Sequence, residues 1–193
     1  GRKCRFTIPQ RQSPALSLLK MCKQNAILQL KEIELQKMKK EGAVPYVLSA
    51  LKRDLNLRNL PIRIECFDIS NLQGTDTVAS MVVFENGKPK KSEYRKFIIK
   101  NVDGPDDFAS MREVIERRYG RVKEENLRVP ELIMVDGGKG QLSSAVEIIE
   151  KLELKEYEII GLAKRLEEVF MPGNPEAQTI PKTSSSLKLL QHI

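Results

Sequence analysis

The chain has 193 residues, 40% of them hydrophobic and 31% charged, with a formal net charge of +7; that is enough for one domain with a proper core, or one domain plus an arm. Trp is absent and aromatic residues make up 5%, which argues against a base-stacking platform, and no apolar run approaches the ~20 residues needed to span a bilayer. The N-terminus lacks the apolar core of a signal peptide, and the three scattered cysteines (Cys4, Cys22, Cys66) lack metal-ligand spacing, so reduced thiols and a cytoplasmic location are expected.

Residues 1–60 hold 13 Lys/Arg against 4 Asp/Glu, whereas residues 61–193 hold 20 against 22. The excess positive charge therefore sits in a lead-in segment, as either a polyanion-binding arm or a solvated helical face. Gly1 to Pro14 reads as a short extended arm. Ala15 to Lys40 contains neither Gly nor Pro, and Leu16, Leu19, Cys22, Ala26, Leu30, Ile33 and Met38 give a rough helical stripe. Punctuation at 41–45 ends that helix, and a shorter one is expected from Tyr46 to Leu55, before Leu60-Pro61. This organises the chain as a basic, mainly helical lead-in over 1–60 and a domain over 61–193.

After Pro61 the pattern changes. Ile64–Ser70 reads as a first strand and Thr77–Phe84 as a second, rich in β-branched residues. Asn86-Gly87 signals a tight hairpin into a third strand, Ser92–Ile99. Asp107 to Tyr119 is expected to be a helix closed by Gly120, with an N-cap from the Asp103–Asp106 turn. Leu132–Val135, a continuous apolar run, suits a parallel strand covered on both faces. A helix from Lys139 to Leu152, a fifth strand over Glu158–Ala163, an irregular stretch from Met171 to Thr183 and a serine-capped helix from Leu187 complete the order β-β-β-α-β-α-β-α. That is an α/β, ribonuclease-H-like order: a mixed five-stranded sheet of three antiparallel strands followed by parallel crossovers, flanked by helices.

Asp68 interrupts the first strand's apolar run, and a charge in a buried strand requires a partner. Asp136 ends the fourth strand, just before Gly137-Gly138. In this topology the first and fourth strands are parallel neighbours, which would set the two carboxylates about 4.8 Å apart across one strand spacing. Such a pair suits Mg2+ or Mn2+, which bind hard oxygen ligands, keep several waters, and promote attack of water on a phosphodiester. The competing reading is that either aspartate caps a turn or the following helix. Gly137-Gly138-Lys139-Gly140 departs from the G-x4-G-K-[ST] phosphate loop, since Ile133 stands at its first position; Gly138 and Lys139 either let a phosphodiester approach a helix N-terminus or make a tight turn. Lys164, with Arg165, follows the fifth strand and could meet a scissile or neighbouring phosphate, or be a solvated strand-end lysine. Lys88, Lys90, Lys91, Arg95, Lys96 and Lys100 make the second hairpin basic, either to contact DNA backbone or to protect a sheet edge.

Five ordered stretches resemble the C-terminal half of the UvrC family, incision subunits of bacterial nucleotide excision repair. They are Ile64–Gly74 (IECFDISNLQG), Val78–Phe84 (VASMVVF), Gly104–Met111 (GPDDFASM), Val135–Leu142 (VDGGKGQL) and Gly161–Arg165 (GLAKR). The resemblance implies a ribonuclease-H-like, metal-dependent endonuclease that incises DNA on the 5′ side of a lesion, with a UvrB-like helicase partner and the rest of the UvrABC system. It implies an Asp-Asp-His set in which the aspartates match Asp68 and Asp136. The family's His falls beyond Ile193, and His192 does not match it, so the domain is expected to be truncated at its C-terminal helix. Catalytic roles are thus expected for Asp68, Asp136 and Lys164, metal binding for Asp68 and Asp136, and DNA contacts for Asn71, Lys88, Lys90, Lys91, Gly138, Lys139 and Arg165. The runner-up is a catalytically inactive nucleic-acid-binding module of the same fold; an ATPase of the same broad superfamily is disfavoured, since no second Gly-rich phosphate hairpin can be named.

Overall fold

The computed structural model describes residues 14–42, 45–72, 76–102, 104, 106–155, 157–163 and 168–193. The chain divides into two units, Gly1–Val44 and Pro45–Ile193. In the first, a single helix α1 covers Pro14–Gly42. Its exposed residues include Leu18, Leu19, Met21, Ile27, Leu28, Leu30 and Ile33. Apolar side chains thus surround the axis, and the expected single stripe is diluted by Leu18, Met21, Ile27 and Leu28 falling between its members.

The second unit is a three-layer α/β/α arrangement built on one sheet. Its strands are β1 (Arg63–Leu72), β2 (Asp76–Glu85), β3 (Lys88–Pro89), β4 (Arg95–Ile98), β5 (Leu132–Asp136), β6 (Glu158–Ala163), β7 (Glu168–Phe170) and β8 (Gln178–Thr179). Their order is β3-β2-β1-β5-β6-β7-β8, with β4 also paired to β2. The first three pairings are an antiparallel meander, and β1–β5 and β5–β6 are parallel, as the crossover order predicts. Two expectations are corrected. The third strand is split into β3 and β4 by a 3-10 turn at Lys91–Glu93, and β7 and β8 extend the far edge antiparallel to β6, so the sheet has eight strands rather than five. Strands of two or three residues are too short to show an alternating pattern, which is why the sequence pattern marks neither β7 nor β8 as a strand.

Alternation along β1, β5 and β6 divides the core. Phe67, Ile133, Val135 and Ile159 pack against helices α3 (Asp107–Glu124) and α4 (Lys139–Lys151). Ile64, Cys66, Leu132, Met134, Ile160 and Leu162 belong to the opposite layer, with helices α2 (Tyr46–Asp54) and α5 (Ser185–His192). Helix α2, assigned above to the lead-in, lies inside this unit: Leu48 and Leu51 are fully buried. Ser184 and Ser186 donate hydrogen bonds to Asp54 Oδ2 at 2.6 and 2.5 Å, tying the end of α2 to the start of α5.

Helix ends explain another difference. Gly120 does not stop α3, which runs on through buried Val122. The stop is Asn126, at φ 50°, where Leu127 N–H donates to Val122 C=O and Asn126 N–H to Lys123 C=O. Asn56 (φ 51°) and Glu153 (φ 54°) close α2 and α4 with the same pair of bonds. Asn tolerates the left-handed region almost as Gly does, and the fixed i+5 bond captures the last carbonyls. The expected Asn86-Gly87 hairpin forms with both residues at positive φ (52° and 73°).

The 3-10 turn after β3 is held by charge. Glu93 pairs with Arg63 at 2.6 Å and Lys90 at 2.7 Å, and these two cations, Arg63 first, depress its carboxyl from 4.5 to about 2. Because the folded state favours the ionised form, the stabilisation is complete above pH ~4.5 and is lost as pH falls toward ~2. Glu93→Gln is therefore expected to reduce unfolding free energy by on the order of 1 kcal/mol at pH 6, after screening of a partly exposed pair, with the difference vanishing near pH 2. Urea titrations across that range measure it.

Candidate active site

The site is built by register. The β1–β5 ladder pairs Ile64 with Leu132, Cys66 with Met134 and Phe67 with Val135, so the next residues on the two parallel strands are Asp68 and Asp136. Both continue the even-numbered face of Cys66 and Met134, on the α2–α5 side. Both are half-buried; Asp136 ends β5, whereas Asp68 lies within β1, just past the last β1–β5 pair. The same register pairs Asp68 with Ser80 on β2, Ser80 with Lys96 on β4, and Asp136 with Leu162 on β6. One row thus crosses the sheet: Lys96, Ser80, Asp68, Asp136, Leu162. Ser70 Oγ donates to Asp68 Oδ2 at 3.1 Å and orients that carboxylate.

Three glycines shape the turn after Asp136. Gly137 N–H donates to Val135 C=O at 2.9 Å, and a Cβ at Gly137 would fall 1.4 Å from Gln141 Oε1, so the Gln141 side chain occupies that space. A Cβ at Gly140 would meet the Phe108 ring at 2.5 Å. Gly138, at the N-cap of α4 with no side-chain cap bond, has open space instead. Gly137 and Gly140 are thus explained by packing, whereas Gly138 leaves the first amides of α4 facing an open approach. Gly161 closes the arrangement from β6, since a Cβ there would stand 2.9 Å from the Gly137 carbonyl oxygen. Gly161→Ala must displace that backbone and is expected to cost about 1–3 kcal/mol, read as a lowered thermal midpoint.

The predicted site residues do not all converge. Lys90 is held by Glu85 at 2.6 Å and Glu93 at 2.7 Å, and these carboxylates raise its pKa. Lys88 and Lys91 are exposed, and Lys88 lies at the wrong end of the sheet. Glu85, beside Lys88, pairs with Arg63, five residues or about 17 Å along β1 from Asp68. Lys139 Nζ donates to the Pro175 carbonyl and sits 5.5 Å from the Phe170 ring centroid. It lines a groove of about 530 Å³ along α4 that includes neither aspartate. His192 packs edge-on to Phe84 at 5.6 Å, and Phe84 pairs with Ile64, so this histidine is also away from the carboxylates. Lys164 and Arg165 lie outside the described residues, as does the side chain of Asn71. Lys96 is the cation that reading by segment left undistinguished among its basic neighbours; only the β2–β4 register places it level with Asp68.

One further carboxylate escaped notice. Glu65, in the same apolar run as Asp68, is fully buried on the α3 face. Arg63 reaches its Oε1 at 2.7 Å, Arg118 binds both oxygens at 2.7 and 3.1 Å, and Tyr119 Oη donates to Oε2 at 3.2 Å. Burial, reinforced by Glu65, pushes the Tyr119 hydroxyl well above its usual pKa, so it remains a donor. The demand for a partner that the buried strand raises belongs to Glu65, and this network meets it.

The donor set fits a hard cation. Two half-buried carboxylates on adjacent strands supply oxygen ligands, and Mg2+ or Mn2+ takes one or two carboxylates together with water and phosphate oxygens. Among the described residues no group of three His, Cys, Asp or Glu side chains could hold a metal, so the pair is the candidate centre by itself. No described helix is long and apolar enough to cross a membrane.

Comparison with known proteins agrees with the residue patterns. The profile of the family described as "UvrC RNAse H endonuclease domain" matches residues 52–193. UvrABC system protein C of Chlorobaculum tepidum is 48% identical over 195 residues, covering 100% of this chain and 31% of that protein. The protein of the same name from Porphyromonas gingivalis W83 is 48% identical over 197 residues, with 100% and 33% covered. The chain spans about a third of the length of the curated relatives it matches. Among solved structures, Ciona intestinalis endonuclease V in complex with an inosine-containing 24mer DNA is 15% identical and covers 68% of this chain and 57% of its own, with a TM-score of 0.40, too distant a likeness to carry an argument.

Proposed function

This chain belongs to the UvrC RNase H endonuclease domain family, and on that premise we propose that it hydrolyses a phosphodiester on the 5′ side of a DNA lesion, using a divalent cation held by Asp68 and Asp136. The observation that carries the reading is the β1–β5 register, which brings two carboxylates to one sheet face where β5 ends beside β1. When bound there, Mg2+ or Mn2+ would supply a water of lowered pKa and neutralise charge on the phosphate oxygens. The chain's own residues do the rest. Ser70 Oγ donates to one Asp68 oxygen and orients the carboxylate. The open Gly138 backbone admits a phosphate to the start of α4, where amide N–H groups favour an anion. Lys96, exposed and level with Asp68, offers a positive charge to a neighbouring phosphate. Lys164 is proposed as a further cation beyond β6.

Damaged DNA, a UvrB-like helicase and the other members of the UvrABC system are the proposed partners. A second reading, an inactive nucleic-acid-binding module, draws on exposed Lys88, Lys91 and Lys96. It requires salt-sensitive DNA binding that is indifferent to divalent ions. Cutting of a lesion duplex by the intact protein with its repair partners, with and without Mg2+ or Mn2+, separates the two. Incision that persists in excess chelator would overturn the metal-dependent reading.

A further inference from the structure

Phe108, the second residue of α3, is 50% exposed, unusually open for a phenylalanine at a helix start. Its position is nonetheless fixed. The Asp106 side chain accepts hydrogen bonds from the Phe108 and Ala109 N–H groups at 3.0 and 2.9 Å, which locks the backbone. The ring is seated on the first turn of α4, where a Cβ at Gly140 would fall 2.5 Å from Cε1 and 2.7 Å from Cζ. Only glycine at 140 lets the ring rest there. The result is an aromatic side chain with one part against backbone and the rest facing solvent.

Its location connects it to the carboxylates. Gly140 follows Asp136 by four residues, so at most about 15 Å of chain separates the ring's seat from the aspartate. The first turn of α3 carries Asp106 and Asp107, which repel phosphate, so the surface suits a base or a sugar rather than the backbone charge. On the described surface Lys96 is the cation level with Asp68, on the α2–α5 face, away from the ring's seat on α4, so phosphate and base have separate places near the carboxylates.

We infer that Phe108, seated on Gly140, is a stacking site for a nucleobase of the cleaved strand close to the phosphate addressed by Asp68 and Asp136. This rests on the nuclease reading above. Base–aromatic stacking tolerates any base, in keeping with a nuclease whose substrate is set by damage rather than by sequence.

The test uses the intact protein and lesion duplexes carrying 2-aminopurine at successive positions around the incision site. Wild type and Phe108→Trp are expected to quench one position. Phe108→Leu, which keeps apolar bulk but loses the π-face, is expected to abolish that quenching and raise KM about 5- to 150-fold, with kcat and the Mn2+ requirement little changed. Gly140→Ala, which displaces the ring without removing it, should act in the same direction. Thermal melts identify any variant that fails to fold, and the Leu variant then carries the decision. Quenching in Phe108→Leu equal to wild type at every position overturns the inference. If Asp136→Asn cuts normally while quenching still depends on Phe108, the nuclease reading fails and the stacking site stands; if Asp136→Asn is inactive and Phe108→Leu quenches normally, the stacking site alone fails.

Discussion

Asp136→Asn and Asp68→Asn are each expected to lower incision at least about a hundredfold, since several kcal/mol of metal-borne charge stabilisation is removed at 1.36 kcal/mol per tenfold. Asparagine keeps the shape of the side chain but loses the charge that attracts the cation. The stability signature separates a metal ligand from a cap. Two carboxylates on adjacent strands repel one another when no cation is bound, so either variant should melt at or slightly above the wild-type temperature in chelator. Wild type should gain stability on Mn2+ titration, because an ion that binds only the folded state shifts the unfolding equilibrium, and the variants should not. A cap that accepts backbone N–H groups would show the reverse, a lower midpoint in chelator and no change in the Mn2+ response. Normal cutting by both variants would falsify the proposed site.

Glu65→Ala is expected to destabilise the domain by about 3–5 kcal/mol, the cost of removing one partner from a buried ionic network. Arg63 and Arg118 are 8% and 15% exposed at their side chains and would be left without their shared acceptor, while Tyr119 would lose its hydrogen bond. Against a typical total stability of about 5–15 kcal/mol, this is a third or more of what holds the fold. Glu65→Gln should recover only part of the loss, because an amide offers one acceptor where two guanidinium groups and a hydroxyl converge. Urea unfolding reads both, and a Glu65→Ala variant within about 1 kcal/mol of wild type would show that solvent or rearranged side chains compensate the two cations. Glu65 joins β1 to α3 three residues before Asp68, so the same network anchors the strand that presents the proposed metal ligand.

The contrast between these two carboxylates shows where reading by sequence works. Both interrupt one apolar run, and the run alone marks a strand without revealing which acid is inside. Glu65 points toward α3 because odd positions of β1 share the face of Phe67, and only the tertiary packing brings Arg118 and Tyr119, more than fifty residues away, to meet it. Asp68 lies on the other face, just past the last β1–β5 pair, where it is partly exposed and a cation is a natural partner.

Local chemistry by itself determined much of the scaffold. Apolar runs and β-branched content marked β1, β2, β5 and β6; Asn86-Gly87 set the hairpin; the element order implied that β1 and β5 are parallel neighbours, whose ladder ends just before Asp68 and Asp136. These follow from propensities and connection rules acting over a few residues or one crossover. What the tertiary structure decided is which charges share a place. Lys88 is close to Lys96 along the chain, yet antiparallel pairing carries it about 17 Å down the sheet from Asp68 while setting Lys96 in its row. Strand direction and register convert neighbours in sequence into opposite ends of a sheet, and no composition or spacing within a segment contains that information.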